Sequence, residues 1–412
     1  VEFFDIFLYL SMAAGFLMAF SLGANDVANS MASAVGARAI TVRQAVIIAG
    51  TLTFIGAVFL GSHVTATITR GIINPEHIAD PRIMMLGMFS ALMAASLWVL
   101  IASLTALPVS STHSIVGSIL GFGVVAGGPQ VVNWWILSGV VLSWIISPLF
   151  AGSIAYFIFS HIRKFIFFKK DFLNQARIWA PRWIGLTALI LGYSFIYKTP
   201  VGQDLNLSGT AALLATSSIA ITAWFAGKII VNRITREKEQ KVEEVEGIFR
   251  RLQILTSSYV ALSHGANDVA NAIGPVAAIY ILARHHELIQ TAEIPIFMLV
   301  LGGLGLSAGI ALLGKKVIAT VGSKITTLTN TRGFAVDFSA ATTVLIASNM
   351  GMPVSTTHAC VGGVTGVGLA RGFSAVNFKV LLRIVGYWLL TVPIAAFTCI
   401  IIFQILKWIF IY

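Results

Sequence analysis

Apolar residues run along this chain in long blocks, and one stretch, from Ile83 to Ile162, holds 80 residues with no Asp, Glu, Lys or Arg. A soluble core helix has no use for such a run, whereas three membrane passes of roughly 20 residues each, with their turns, fill it. Reading the apolar runs as spans gives twelve helices, at 2–22, 43–61, 83–104, 109–126, 134–160, 183–198, 208–228, 252–267, 294–314, 334–350, 355–370 and 384–406. The pattern predicts an all-α polytopic membrane protein. The first run has no basic segment ahead of it and reads as a span, not as a cleaved signal.

Composition agrees. Only 10% of the 412 residues are charged and 57% are apolar, with a mean hydropathy of +0.89, against about 25% charged in a soluble domain. The two cysteines, Cys360 and Cys399, both lie in apolar runs, so neither a disulfide framework nor a thiolate metal site is indicated.

Lys and Arg exceed Asp and Glu by 11, and their placement explains the excess. Six lie between Arg163 and Arg182 and seven between Lys228 and Arg251, in loops that flank two spans and so share one side. The positive-inside tendency makes that side cytoplasmic. Alternating from there puts 22 of the 27 basic residues inside and leaves Arg70, Arg82, Lys198, Arg284 and Lys407 outside. The expected setting is the plasma (inner) membrane with both termini outside. The basic excess is topology, so nucleic acid is not an expected partner; membrane lipid is, and a homo-oligomer stays open.

The chain also repeats itself. Gly23-Ala24-Asn25-Asp26-Val27-Ala28-Asn29 recurs letter for letter 242 positions later as Gly265-Ala266-Asn267-Asp268-Val269-Ala270-Asn271. Pro108-Val109-Ser110-Ser111-Thr112-His113 returns 245 positions later as Pro353-Val354-Ser355-Thr356-Thr357-His358. Five spans in each half, residues 1–162 and 252–412, are separated by two linking spans in 163–251 with their basic loops. Equivalent spans therefore stand an odd number apart, which inverts the second copy relative to the first. Inverted repeats with broken or re-entrant helices are how many secondary transporters build two alternating states around a midplane site.

Asp26 lies in a run from Ile6 to Ala37 that contains no other charge; as one helix such a run would measure roughly 48 Å against a core of about 30 Å. A break or re-entry is expected there, with Gly23 and the Asn-Asp pair suited to it. A carboxylate at membrane depth must be paired, protonated or bound to a cation, and neither motif contains Lys or Arg. Asn25, Asp26, Asn29, Asn267, Asp268 and Asn271 offer hard oxygen ligands suited to Na⁺, or carboxylates able to carry H⁺. In the second motif, Ser110, Ser111 and Thr112, and again Ser355, Thr356 and Thr357, follow a Pro at the head of an apolar helix. Free N–H groups and hydroxyls at two such helix starts suit a tetrahedral oxyanion. His113 and His358 are expected to make structural hydrogen bonds. His264 precedes the second motif where Leu22 precedes the first, and this loss of symmetry argues against an essential role. Two carboxylates and an anion without a basic partner require mobile cations, which couples cation and anion binding reciprocally.

These paired motifs closely resemble those of the inorganic phosphate transporter (PiT) family, over essentially the whole chain. The resemblance implies a sodium- or proton-coupled phosphate symporter, with Asp26 and Asp268 binding cation and the Ser/Thr clusters around phosphate. It implies no cofactor beyond the coupling ion, for which Na⁺ is favoured by the neutral Asn oxygens. Its short segment from Arg233 to Arg251 resembles prokaryotic members. A sulfate or other oxyanion permease of the same build is the alternative. An intramembrane phosphoester hydrolase is remote, since catalysis needs one asymmetric set of residues and not a duplicated one; the chain is not expected to be an enzyme.

Overall fold

The computed structural model describes residues 2–74, 78, 80–105, 109–198, 202, 205–285, 294–315, 317–318 and 328–412. Within them the chain forms thirteen α-helices: α1 (Glu2–Gly36), α2 (Val42–Leu60), α3 (Ser62–Arg70), α4 (Pro81–Thr105), α5 (Ser111–Gly127), α6 (Trp134–Ile162), α7 (Phe172–Lys198), α8 (Gly209–Thr235), α9 (Val242–His285), α10 (Ile296–Gly309), α11 (Asn330–Asn349), α12 (Thr356–Arg371) and α13 (Phe378–Phe410). Eight helical stretches are long and apolar enough to cross a membrane. The strongly apolar composition that makes them helices also leaves their outer faces, such as Trp135, Leu149 and Leu389, exposed to the surroundings, as a lipid-facing surface requires.

The expected break at the Gly-Ala-Asn-Asp motifs does not occur. Helix α1 runs unbroken for 35 residues through Asp26, and α9 for 44 residues through Asp268, about 52 and 66 Å. No carbonyls are released at either motif by an unwound turn. In α9 part of the surplus length is its first turns, which carry Glu243, Glu244 and Glu246, residues that belong beside water. The motif glycines serve close packing instead. A Cβ on Gly23 would stand 2.0 Å from the Leu306 carbonyl oxygen, and one on Gly265 would stand 2.0 Å from that of Thr53, so only glycine lets these helices touch backbone to backbone.

Interruptions fall elsewhere. Gly61 separates α2 from α3. Helices α4 and α5 form a hairpin: Ser103, near the end of α4, meets Asn25, and Ser111, the first residue of α5, meets Asp26. Ile73, ahead of α4, bridges to Val132, after α5, so the hairpin returns to the end of the molecule from which it entered. Helices α11 and α12 repeat this arrangement, with Ser348 and Thr356 meeting Asn267 and Asp268. The runs 83–104 and 109–126, and likewise 334–350 and 355–370, are thus the arms of two re-entrant hairpins. Pro108, one of the expected helix breakers, lies outside the described residues.

The two halves run in opposite directions. Phe7 of α1 packs on Phe410, 5.1 Å between ring centroids, at one end of the molecule, and the turn after α1 reaches Arg250 through the Ala39 carbonyl at the other. Helix α9 starts beside that turn and ends where Tyr280 meets Phe297, so α1 and α9 are antiparallel, each with its hairpin alongside. This is the arrangement that inverted repeats require. Helices α7 and α8 pack on one another and touch the rest chiefly along α9.

Candidate functional site

Both hairpin turns bring a helix N-terminus to the middle of the molecule, and the residues that start those helices explain why the chain turns there. Ser110 is extended (φ −94°, ψ 117°) and its Oγ accepts the His113 N–H; Ser355 is extended (φ −85°, ψ 115°) and its Oγ accepts the His358 N–H. Each therefore caps its helix. The next two residues of each hairpin face the long helices. Ser111 Oγ donates to Asp26 Oδ2 at 2.8 Å, and Thr356 Oγ1 donates to Asp268 Oδ2 at 3.2 Å. Thr112 and Thr357 cross between the halves: Asn271 Nδ2 donates to Thr112 Oγ1 at 3.2 Å, and Asn29 Nδ2 donates to Thr357 Oγ1 at 2.9 Å. All six hydroxyl residues and both aspartates are buried.

The six Asn and Asp residues divide by use. Asn25 donates to Ser103 Oγ at 3.0 Å, and Asn267 grips Val354 through both its N–H and its carbonyl, at 3.2 and 2.6 Å. These two hold hairpin turns. Asp26, Asp268, Asn29 and Asn271 line the space between the hairpin starts, and Asn271 Oδ1 is a buried acceptor with no donor among the described residues. The chemistry of this donor set fits a hard cation: carboxylate, carboxamide and hydroxyl oxygens, with an acceptor oxygen to spare.

His113 and His358 make the structural hydrogen bonds expected of them. His113 Nδ1 lies 3.1 Å from the Trp388 carbonyl, and His358 Nδ1 lies 3.0 Å from that of Trp144. Each ring packs on the tryptophan of its own half, His113 on Trp144 and His358 on Trp388, while its hydrogen bond crosses to the other half, and the two imidazoles stand 4.6 Å apart. They mark the axis about which the two halves are related.

Two residues depart from this symmetry, and sequence reasoning missed both. His264 Nε2 lies 2.9 Å from Asp268 Oδ2, and Asp26, His264 and Asp268 offer ligand atoms that all lie within 4.8 Å of one another. The residue set aside for lacking a counterpart is thus the one nitrogen base of the central cluster. Asp337, on α11, is a third buried acid. Ser33 donates to it at 2.6 Å and Ser257 at 2.5 Å. Its only sequence signal is a lone acid inside an apolar run; the residue 245 positions earlier is Leu92.

Comparison with known proteins places this geometry. A family model described as the phosphate transporter family matches residues 22–399. A protein of Pyrococcus abyssi named as a phosphate permease is 49% identical over 405 residues, covering 98% of each chain. An Arabidopsis thaliana protein named inorganic phosphate transporter 2-1, chloroplastic, is 39% identical over 411 residues, covering 94% of this chain and 70% of the other. A solved structure described as the sodium-dependent phosphate transporter is 49% identical, with a TM-score of 0.93, covering 98% of this chain and 100% of that one.

Proposed function

Because the chain belongs to the phosphate transporter family and is a multi-pass membrane protein, we propose that it carries inorganic phosphate across the plasma membrane together with Na⁺, by alternating access. The observation that carries this reading is the meeting of two carboxylates with two hydroxyl-bearing helix starts in one buried cluster. Asp26 and Asp268 share one buried cluster with His264, which can offset only one of their two charges, so a cation must join them for both to stay ionised in a low-dielectric site. Asp26 and Asn29 on one side, and Asp268 and Asn271 on the other, hold the cations as transported ions. Ser111, Thr112, Thr356 and Thr357, with the free N–H groups of α5 and α12, hold the phosphate oxygens. Ser110 and Ser355 hold the helix ends in place and Asn25 and Asn267 hold the turns. Phosphate then binds well only with cations present, and cations with phosphate, which is the coupling a symporter needs.

The named sodium dependence of the 49%-identical solved structure supports Na⁺ over H⁺. Residues 1–162 and 252–412 act as the two inverted units and 163–251 as the linking pair with its basic loops. The basic end of the molecule is cytoplasmic and both termini are outside. The experiment is phosphate uptake in liposomes by wild type, Asp26→Asn and Asp268→Asn. Both variants keep the side-chain shape and remove one negative charge, so the dependence on Na⁺ should weaken by about 3 kcal/mol in cation binding, roughly 100-fold. Unchanged Na⁺ dependence in both would overturn the assignment.

A further inference from the structure

Each hydroxyl-bearing helix start is followed at once by a histidine, His113 on α5 and His358 on α12, and each histidine is joined to a helix of the opposite half. Helix α12 lies on α6 and α5 on α13. The approach is so close that a Cβ on Gly362 would stand 2.2 Å from the Pro148 carbonyl oxygen, and one on Gly117 would stand 2.7 Å from that of Val392. Pro148 has no N–H, so the Trp144 carbonyl, one turn before it, loses its helical donor. His358 Nδ1 takes that place at 3.0 Å. The bond that crosses in the other direction, from His113 Nδ1 to the Trp388 carbonyl, measures 3.1 Å. A carbonyl only accepts, so Nδ1 carries the hydrogen in both rings.

Around these bonds the two imidazoles and two indoles form one buried layer. His113 lies 3.8 Å from Trp144 and His358 lies 3.6 Å from Trp388, centroid to centroid, and the imidazoles meet edge to face at 4.6 Å. His358 is thus held by its backbone N–H on Ser355, by Nδ1 on α6, by its ring face on α13 and by His113. Thr356 and Thr357 immediately precede it, as Ser111 and Thr112 precede His113. Neither helix start can shift relative to the other without breaking the layer, because packed interiors transmit displacement and do not absorb it.

Stability is not what these rings supply. Nε2 of both histidines and Nε1 of both tryptophans are buried with no hydrogen-bond partner among the described residues, and a buried polar atom without a partner costs stability. Apolar rings would pack there at less cost. What the layer does fix is the separation of two helix starts that face one ligand.

We propose that His113, Trp144, His358 and Trp388 are positioning residues that set the width of the central anion cradle and so make it selective for an anion of the size and shape of inorganic phosphate. This assignment rests on the reading of Ser111, Thr112, Thr356 and Thr357 as that cradle. A cradle held at fixed width discriminates by fit, and one whose width is free to vary loses affinity for the anion that fitted while gaining tolerance of those that did not.

The experiment is uptake of labelled phosphate into liposomes holding purified protein under an inward Na⁺ gradient, with methylphosphonate, in which a methyl group replaces one oxygen, as the competitor. The quantity read is the inhibition constant of methylphosphonate divided by the KM of phosphate. Loss of folded protein lowers the maximal rate and leaves this ratio unchanged, so a merely structural role does not move it. His358→Ala and Trp388→Leu should each lower the ratio about tenfold, chiefly by raising the KM of phosphate, and Trp388→Phe, which keeps a flat ring, should restore most of it. Where neither of the first two variants reconstitutes, His358→Asn serves: its amide keeps a donor for the Trp144 carbonyl while the ring is lost, and the ratio should fall several-fold. A wild-type ratio retained by every variant that takes up phosphate overturns the proposal, as does wild type that accepts methylphosphonate as readily as phosphate. Wild type that takes up no phosphate under the Na⁺ gradient overturns the transporter reading instead, and this assignment with it.

Discussion

At the scale of single residues, adjacent hydroxyls have different work. Ser110 and Ser355 cap helices, while Ser111 and Thr356 bond to aspartates. Ser110→Ala should therefore lower stability by about 1 kcal/mol, read as a lower unfolding temperature in detergent, with the Na⁺ concentration for half-maximal uptake little altered. Ser111→Ala should do the reverse, raising that Na⁺ concentration several-fold, since Asp26 loses a donor at 2.8 Å. A pair of variants with indistinguishable uptake curves would contradict this division. The duplicated motifs made most of the site legible in the sequence, because two copies of an uncompensated acid in an apolar run have few other uses. That same reliance on duplication hid His264 and Asp337, whose counterparts, Leu22 and Leu92, are apolar. Asymmetry is where a symmetric scaffold can distinguish its two faces, and His264 stands at such a point, 2.9 Å from Asp268.

Among elements, the sequence located the helices but misjudged where two of them stop. A run longer than the membrane is thick need not break; α1 and α9 continue as helix through their motifs, and the breaks fall at Gly61 and at the hairpin turns. The charged first turns of α9 are a signal of projection that hydropathy windows average away. Gly23 illustrates the difference. As a break it would tolerate Ala, but as a contact it cannot, because Cβ would stand 2.0 Å from the Leu306 carbonyl. Gly23→Ala and Gly265→Ala should each cost about 2–3 kcal/mol through overpacking, measured by thermal unfolding. Alanine variants as stable as wild type would show that these helices separate more easily than the packing implies.

For the molecule as a whole, the distribution of Lys and Arg proved insensitive to whether a pair of apolar runs crosses the membrane twice or forms a re-entrant hairpin. Both routes return the chain to the side it left, and the hairpin turns carry no charge to be counted. Orientation therefore follows from the basic loops while the depth of the turns does not. Single cysteines in a background lacking Cys360 and Cys399 test the orientation. Cysteine replacing Trp135, 86% exposed, should react with an impermeant maleimide added to intact cells, and cysteine replacing Phe373, 77% exposed, should react only after permeabilisation. The opposite pattern would invert the topology.

The central claim is coupling: two carboxylates drawn together around a phosphate site oblige cations to move with the anion. It is tested most directly with purified protein in sealed liposomes, holding equal phosphate on both sides and imposing an inward Na⁺ gradient. Phosphate should accumulate inside above its external concentration, and collapse of the Na⁺ gradient should release it. Equilibration without accumulation, at any Na⁺ or H⁺ gradient, would contradict the account.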